Sequence, residues 1–345
     1  MRPVTRYPRP LRPGDRIGVT APSSGIVAGL RPRLDFCVRT LRERGFDVVV
    51  GQCMSGDGVV SAAAADRARE LTAMLTDPQI AAVVPPWGGE LAIELLDLLD
   101  FEAIGSAEPT WLVGFSDLTT VMLPLTLLTG WATLHGENLM DTPYAVEPGH
   151  APWWEIAGRS EGEAFTQRAA AAYRSTGFDD WEADPTVTQR RLDRSGRWSL
   201  LDPSAGAVDV TGRLIGGCID VLAHVRGTPY GDLPAYGVAH ARDGLVVYLE
   251  AAEQGALDVA RALHGMRLSG WFEHASAVLV GRTLAPDSAS YTQRAAVADA
   301  LGGLGVPVVL DVECGHVPPR MPLVNGALAR VVVDGARQEV TQTLV

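Results

Sequence analysis

The sequence predicts an α/β protein of two domains: an N-terminal, mostly parallel sheet flanked by helices, and a C-terminal α/β domain with mixed strands. Three observations carry this. Short apolar strands alternate with helical periodicity over residues 15–135, a second series of strands and helices begins near Gly212, and a polar, aromatic-rich stretch lies between them. The boundaries follow as 1–140, a bridging segment over 141–211, and 212–345. Two domains suit 345 residues at about 150 per domain, and 47% apolar residues suffice for a sizeable core.

Arg16 to Thr20 reads as a first strand, closed by the turn-rich Ala21-Pro22-Ser23-Ser24. Leu30, Leu34, Cys37, Val38 and Leu41 recur at helical spacing, Gly45 stands where a C-terminal cap ends that helix, and Asp47 to Val50 is the next strand. Ser61 is placed to cap a helix through Ala68, Leu71 and Leu75, before the strand Ile80 to Val84 and a Pro85-Pro86 stop. Trp87-Gly88-Gly89 then opens a helix with an apolar face of Leu91, Leu95, Leu98 and Leu99. Trp111 to Val113 is a further buried strand, Gly114-Phe115-Ser116-Asp117 a sharp turn, and Leu118 to Leu128 a helix that Pro124 bends. In the bridge, Trp153, Trp154, Tyr173, Trp181 and Trp198 sit among arginines and turn formers, as in a large functional loop. Strands at 245–249, 277–280, 306–310 and 329–333, with helices near 256–269 and 290–303, make up the last domain.

All 29 cationic side chains are arginine, against 41 acids, for a formal charge of -12. Without lysine there is no P-loop lysine, no Schiff base and no Ser-Lys dyad. The acidic balance disfavours nucleic-acid polymers and anionic membranes as partners and leaves small molecules open. Cys37, Cys53, Cys218 and Cys314 form no C-x-x-C pair, so neither a zinc knuckle nor a redox motif is indicated, and they read as buried free thiols. The basic N-terminus is broken by prolines and has no signal-type apolar core. No apolar run reaches the roughly 18 residues of a membrane span, so a cytoplasmic location is expected.

Four places carry candidate chemistry. Ser116 follows a strand and precedes a helix, where a hydroxyl projects from a tight turn and the next amide faces an oxyanion; the same spacing suits a simple helix cap. Gly88-Gly89 lets backbone approach a ligand closely, or makes a plain turn. Glu250 ends an apolar strand, where a carboxylate orients an imidazole or is a solvated loop acid. His316, in Cys314-Gly315-His316-Val317-Pro318-Pro319, is held between a glycine and two prolines, whereas the other six histidines have ordinary settings. No H-E-x-x-H cluster is present and no lysine can act as base, so a serine nucleophile here requires a histidine oriented by a carboxylate.

Taken together, LRPGDRIGVTAPSSG (11–25), PPWGGELAIELLDLLD (85–100), GFSDLTT (114–120), LHGENLM (134–140), GRLIGGCIDVL (212–222), VVYLEAAE (246–253), VLVGRT (278–283) and VECGHVPPRMPLVNGA (312–327) resemble the LD-carboxypeptidase-type serine peptidases, including their microcin C7 self-immunity branch. The resemblance spans nearly the whole chain. It implies a site in the cleft between the domains, with Ser116 as nucleophile, His316 as general base and acid, and Glu250 orienting the imidazole. The backbone N–H groups of Asp117 and Gly89 would form the oxyanion hole. No metal or organic cofactor is implied, and a homodimer is.

Within the family, cell-wall enzymes release D-alanine from muropeptides, whereas the immunity branch cleaves aminoacyl–nucleotide conjugates. Gly88-Gly89-Glu90-Leu91 is similar to the immunity form, the extra length falls in the aromatic bridge, and Trp181 resembles the loop tryptophan that stacks on the base. Gly88, Glu90, Trp181 and Trp198 are therefore the substrate-binding candidates. A non-hydrolytic small-ligand binder on the same two-domain plan is the reading from another class. A dinucleotide enzyme is disfavoured, because no G-x-G-x-x-G follows a strand.

Overall fold

A computed structural model describes residues 4–345; the first three residues of the basic N-terminal segment lie outside the described residues. The N-terminal part runs β1 (Arg16–Val19), α1 (Arg31–Glu43), β2 (Asp47–Val50), α2 (Ala64–Thr76), β3 (Ile80–Val83), α3 (Phe101–Ser106), β4 (Trp111–Gly114), α4 (Thr119–Thr129) and β5 (Thr133–His135). The middle adds α5 (Trp153–Ala157), β6 (Ala164–Arg168), the pair β7 (Ala172–Tyr173) and β8 (Arg194–Ser195), and β9 (Ser199–Leu200). The last part is β10 (Val208–Cys218), α6 (Ile219–Val225), α7 (Leu233–Ala239), β11 (Leu245–Glu250), α8 (Ala256–Leu268), β12 (Ala275–Gly281), α9 (Gln293–Leu301), β13 (Val308–Val312), β14 (Leu323–Asn325), β15 (Leu328–Asp334) and β16 (Arg337–Thr343).

Two sheets form. The first has the order β14-β5-β4-β3-β1-β2, parallel except where β14 joins β5. Its inner strands β3 and β4 are buried along their whole length, as parallel strands covered by helices on both faces must be. The second has the order β6-β16-β15-β10-β11-β12-β13-β9, with a parallel centre from β10 to β13 and antiparallel flanks. The bridging segment therefore does not stand apart, because it supplies both edge strands of this sheet.

Two expected helical features differ. Ser61 does not cap α2: its hydroxyl donates to the Ala21 carbonyl, and the cap position is Ala63. The helix expected after Gly89 is a single 3₁₀ turn, Ala92–Leu95, with Leu91 and Leu98 exposed. Tertiary partners take its backbone. The Asp117 carboxylate accepts from Ala92 N–H at 2.8 Å, Arg67 donates to the Leu91 carbonyl at 3.3 Å, and Asp100 starts a new helix by capping Ala103 N–H at 2.8 Å.

The sheets are locked by side chains that reach from one to the other. Asn325 on β14 accepts from Tyr248 Oη at 2.8 Å and Gly216 N–H at 3.3 Å in the second sheet, and its amide donates to Thr133 Oγ1 at 2.9 Å in the first. Leu123 and Leu127 of α4 pack in one core with Ile215, Leu222 and Leu249. His135, at the end of β5, donates from Nε2 to the Cys314 carbonyl at 2.8 Å, leaving Nδ1 buried without a partner. Burial keeps this ring neutral and lowers its pKa from 6.5 to about 4. As pH falls below 6.5 the unfolded chain binds a proton that the folded chain refuses, so stability declines until about pH 4. Urea titrations at pH 7 and pH 5 should show a decline smaller by about 2 kcal/mol in His135→Gln than in the parent chain. Equal declines would show that the ring is not held neutral by its surroundings.

Candidate active site

Ser116 stands at the carboxyl end of β4, where the chain turns sharply into helix. Its φ of 65° is one of two positive values among the described non-glycine residues. That strained turn lifts Oγ clear of the backbone. The following 3₁₀ turn, Ser116–Leu118, leads directly into α4, and Thr119 Oγ1 donates to the Ser116 carbonyl at 2.8 Å while accepting from Cys218 N–H of the second sheet at 3.2 Å. Gly88 comes so close that a Cβ there would lie 2.9 Å from Ser116 Cβ and 3.0 Å from Asp117 N. Gly89, at φ 145°, has room for no side chain either, because a Cβ would meet Ser24 Oγ at 2.3 Å.

The imidazole and carboxylate come from the second domain. Glu250 ends β11 fully buried, in space left by Gly281 and Gly315, where a Cβ would lie 2.6 and 2.8 Å from Glu250 Cβ. His316 sits on the loop leaving β13. Its Nε2 is 2.9 Å from Ser116 Oγ and its Nδ1 is 2.8 Å from Glu250 Oε2. Burial pushes the Glu250 carboxyl up, but the imidazole and its hydrogen bond outweigh this and hold it below its ordinary value. An ionised carboxylate can only accept, so Nδ1 carries the proton and Nε2 is free to accept from the serine hydroxyl. Three residues 66 to 200 positions apart thus form one continuous hydrogen-bonded line.

Cys218 Sγ lies with Glu250 and His316 in a group whose ligand-type atoms are within 4.8 Å of one another. Burial, with Glu250 alongside, raises the thiol pKa well above its ordinary value, so it packs there as a protonated group.

The remaining predicted residues fall in different places. Asp117 is 1% exposed, and its carboxylate accepts from Ser23 Oγ at 2.5 Å and from Ala92 N–H, clamping the loops on either side of Gly88-Gly89. Gly88 and Trp181 line a cavity of about 310 Å³ that also holds Ser116 and His316. Glu90 is exposed and is absent from that lining. Trp198 is a correction: it is 2% exposed in the core of the second sheet, with its indole donating to Glu313 Oε2 at 2.6 Å, so it cannot touch a ligand in the cleft.

Sequence reasoning missed much of the cleft wall. Tyr144, Arg174, Phe178, Asp179, Arg190 and Arg320 all line it. Phe178 is 81% exposed at its edge. Arg174 and Asp179 pair at 2.8 Å, Tyr144 Oη donates to Asp179 at 2.6 Å, and Trp181 Nε1 donates to Tyr144 Oη at 2.8 Å. One face of the Trp181 indole carries the Arg33 guanidinium at 5.1 Å. Their sequence signal was the concentration of aromatics and arginines in the bridge, without a spacing that could single them out.

Known proteins give the arrangement its place. A model of the LD-carboxypeptidase N-terminal domain matches residues 17–136, and a model of the LD-carboxypeptidase C-terminal domain matches 211–331. The microcin C7 self-immunity protein MccF of Escherichia coli is 25% identical over 348 residues, covering 96% of this chain and 95% of its own. A putative carboxypeptidase of Streptomyces coelicolor is 32% identical over 340 residues, 97% of this chain and 95% of that one. The fold is that of MccF in complex with glutamyl sulfamoyl guanosine, at a TM-score of 0.82 and 22% identity over 99% of this chain and 98% of that one. With both halves of the family matched in order along the sequence, the chain belongs to the LD-carboxypeptidase family of serine peptidases, peptidase family S66.

Proposed function

We propose that the enzyme hydrolyses the amide bond of aminoacyl–nucleotide conjugates of the microcin C7 kind, giving self-immunity or detoxification. The observation that carries this reading is a single cavity joining Ser116 and His316 to the aromatic wall of Tyr144, Phe178 and Trp181. Flat aromatic faces bind a nucleobase by stacking, worth roughly 1–3 kcal/mol per base. The relative that binds an aminoacyl sulfamoyl nucleoside supports it.

In this mechanism Ser116 Oγ attacks the acyl carbon as its proton passes to His316 Nε2, and the C–N bond breaks when that proton is delivered to the leaving nitrogen. Water then enters, gives a proton to His316 Nε2 as its oxygen bonds to the acyl carbon, and the acid leaves when that proton passes back to Ser116 Oγ. Glu250 stabilises the imidazolium formed in each half. The backbone N–H groups of Asp117 and Gly89, which have no acceptor among the described residues, would receive the oxyanion, each worth about 3 kcal/mol in the transition state. Muropeptide LD-carboxypeptidase activity is the second reading, favoured by the family models themselves.

A serine-directed acylating reagent should label the parent chain once and leave Ser116→Ala unlabelled, with kcat reduced by about 10⁴ or more in that variant. An unlabelled but folded parent chain would point to a binder instead. Offered an aminoacyl sulfamoyl adenosine and a muropeptide tetrapeptide in parallel, the enzyme should release the nucleoside; release of D-alanine alone would reject the nucleotide assignment. Trp181→Ala should lower kcat/KM on the nucleotide conjugate by roughly 5- to 100-fold while Ser116 stays reactive, and undiminished turnover would remove stacking from the account.

A further inference from the structure

The cavity that holds Ser116 and His316 also holds a guanidinium whose donors are not used up. Arg320 follows His316 by four residues, and its side chain is only 7% exposed. Its Cζ lies 4.1 Å over the ring of Phe115, and that ring meets the His316 imidazole edge-on with centroids 5.0 Å apart. One aromatic ring therefore separates the guanidinium from the imidazole. Nε donates to the Gly315 carbonyl at 3.0 Å. Nη1 lies 3.1 Å from Asp141 Oδ1 yet is buried with no hydrogen-bond acceptor in line, and Nη2 donates to nothing among the described residues.

Arg320 does not hold its acidic partner alone. The acid it pairs with, Asp141, is shared with Arg190, whose Nη2 lies 3.5 Å from the same oxygen while pairing with Glu137. Glu137, the second acid of the group, is itself taken up by the Arg190 guanidinium. Contacts then order the wall outward from the nucleophile: Phe115, Arg320, Asp141, Arg190, whose Cζ is 4.2 Å over the Tyr144 ring, and finally Tyr144 and Trp181.

Resting on the acyl-transfer reading above, we propose that Arg320 receives an oxyanion carried by the leaving group, one or two atoms beyond the scissile nitrogen. His316 must hand its proton to that nitrogen, so the leaving group lies on the imidazole side, where the Arg320 fork is held. With Nε on the Gly315 carbonyl and Nη1 buried beside Asp141, Nη2 is the donor left over, and a charged N–H of this kind matches an oxygen of a phosphoryl, sulfamoyl or carboxylate group. That chemistry is common to the linker of a nucleotide conjugate and to the terminal carboxylate of a tetrapeptide.

The test uses pairs with the same acyl group in which one member lacks the charged group: an aminoacyl sulfamoyl adenosine against the neutral amide of 5′-amino-5′-deoxyadenosine, and a muropeptide tetrapeptide against its C-terminal amide. In the pair that the parent enzyme turns over, Arg320→Gln should reduce the ratio of kcat/KM for the anionic over the neutral member by about 100-fold. Arg320→Lys should recover part of that ratio. Labelling of Ser116 by a small neutral acylating reagent shows whether each variant has folded around its nucleophile. If the ratio does not change, because both members fall together or neither falls, Arg320 is a packing residue and the inference is overturned. If only the tetrapeptide pair is turned over, the nucleotide assignment fails while Arg320 is still decided by that pair's ratio. If neither pair is turned over, both fall.

Discussion

Asn325 is the residue on which the geometry of the cleft depends. Its side-chain oxygen serves Tyr248 and Gly216 of one sheet while its amide serves Thr133 of the other, all in a setting with no solvent exposure. An amide has both a donor and an acceptor end, so it can join two different sheets where a carboxylate or an amine could not. Ser116 rises from the first sheet, and Glu250 and His316 from the second. A displacement of about 1 Å at such a site costs orders of magnitude in rate, which makes fixed registration between the sheets a functional requirement as well as a packing one.

The parts of the fold legible in the sequence are those fixed by local rules. Strand β2 is read to the residue because Gly45 breaks the preceding helix and Asp47 opens a β-branched run. The Ser116 turn and the rigid setting of His316 are visible as punctuation in the chain. The segment after Gly89 was misread because a carboxylate 25 residues away takes its backbone N–H, a tertiary event that leucine spacing does not encode. Trp198 was misassigned for a related reason. Composition cannot tell an indole that faces a cleft from one that donates to a buried carboxylate.

The same limit hid the cleft's electrostatics. A chain with 29 arginines and no lysine gives no sequence cue to which few matter. In the structure the informative ones are buried and share acids: Arg190 with Glu137 and Asp141, and Arg320 with Asp141. Taking such charges out of water is unfavourable, and the pairing returns much of that cost only when geometry is good. What the arrangement provides is a polar wall held by mutual pairing, set between the Ser116 hydroxyl and an aromatic surface.

One consequence follows from the origins of the three aligned groups. The His316–Glu250 link joins two parts of the same domain, while the Ser116–His316 link is the only one of the pair to cross between domains. Any sliding of one layer over the other would open the circuit at that single junction, disarming the hydroxyl while the imidazole kept its tautomer and its charge environment. The fold thus puts the mechanical weak point and the activation step proposed for Ser116 at the same 2.9 Å contact.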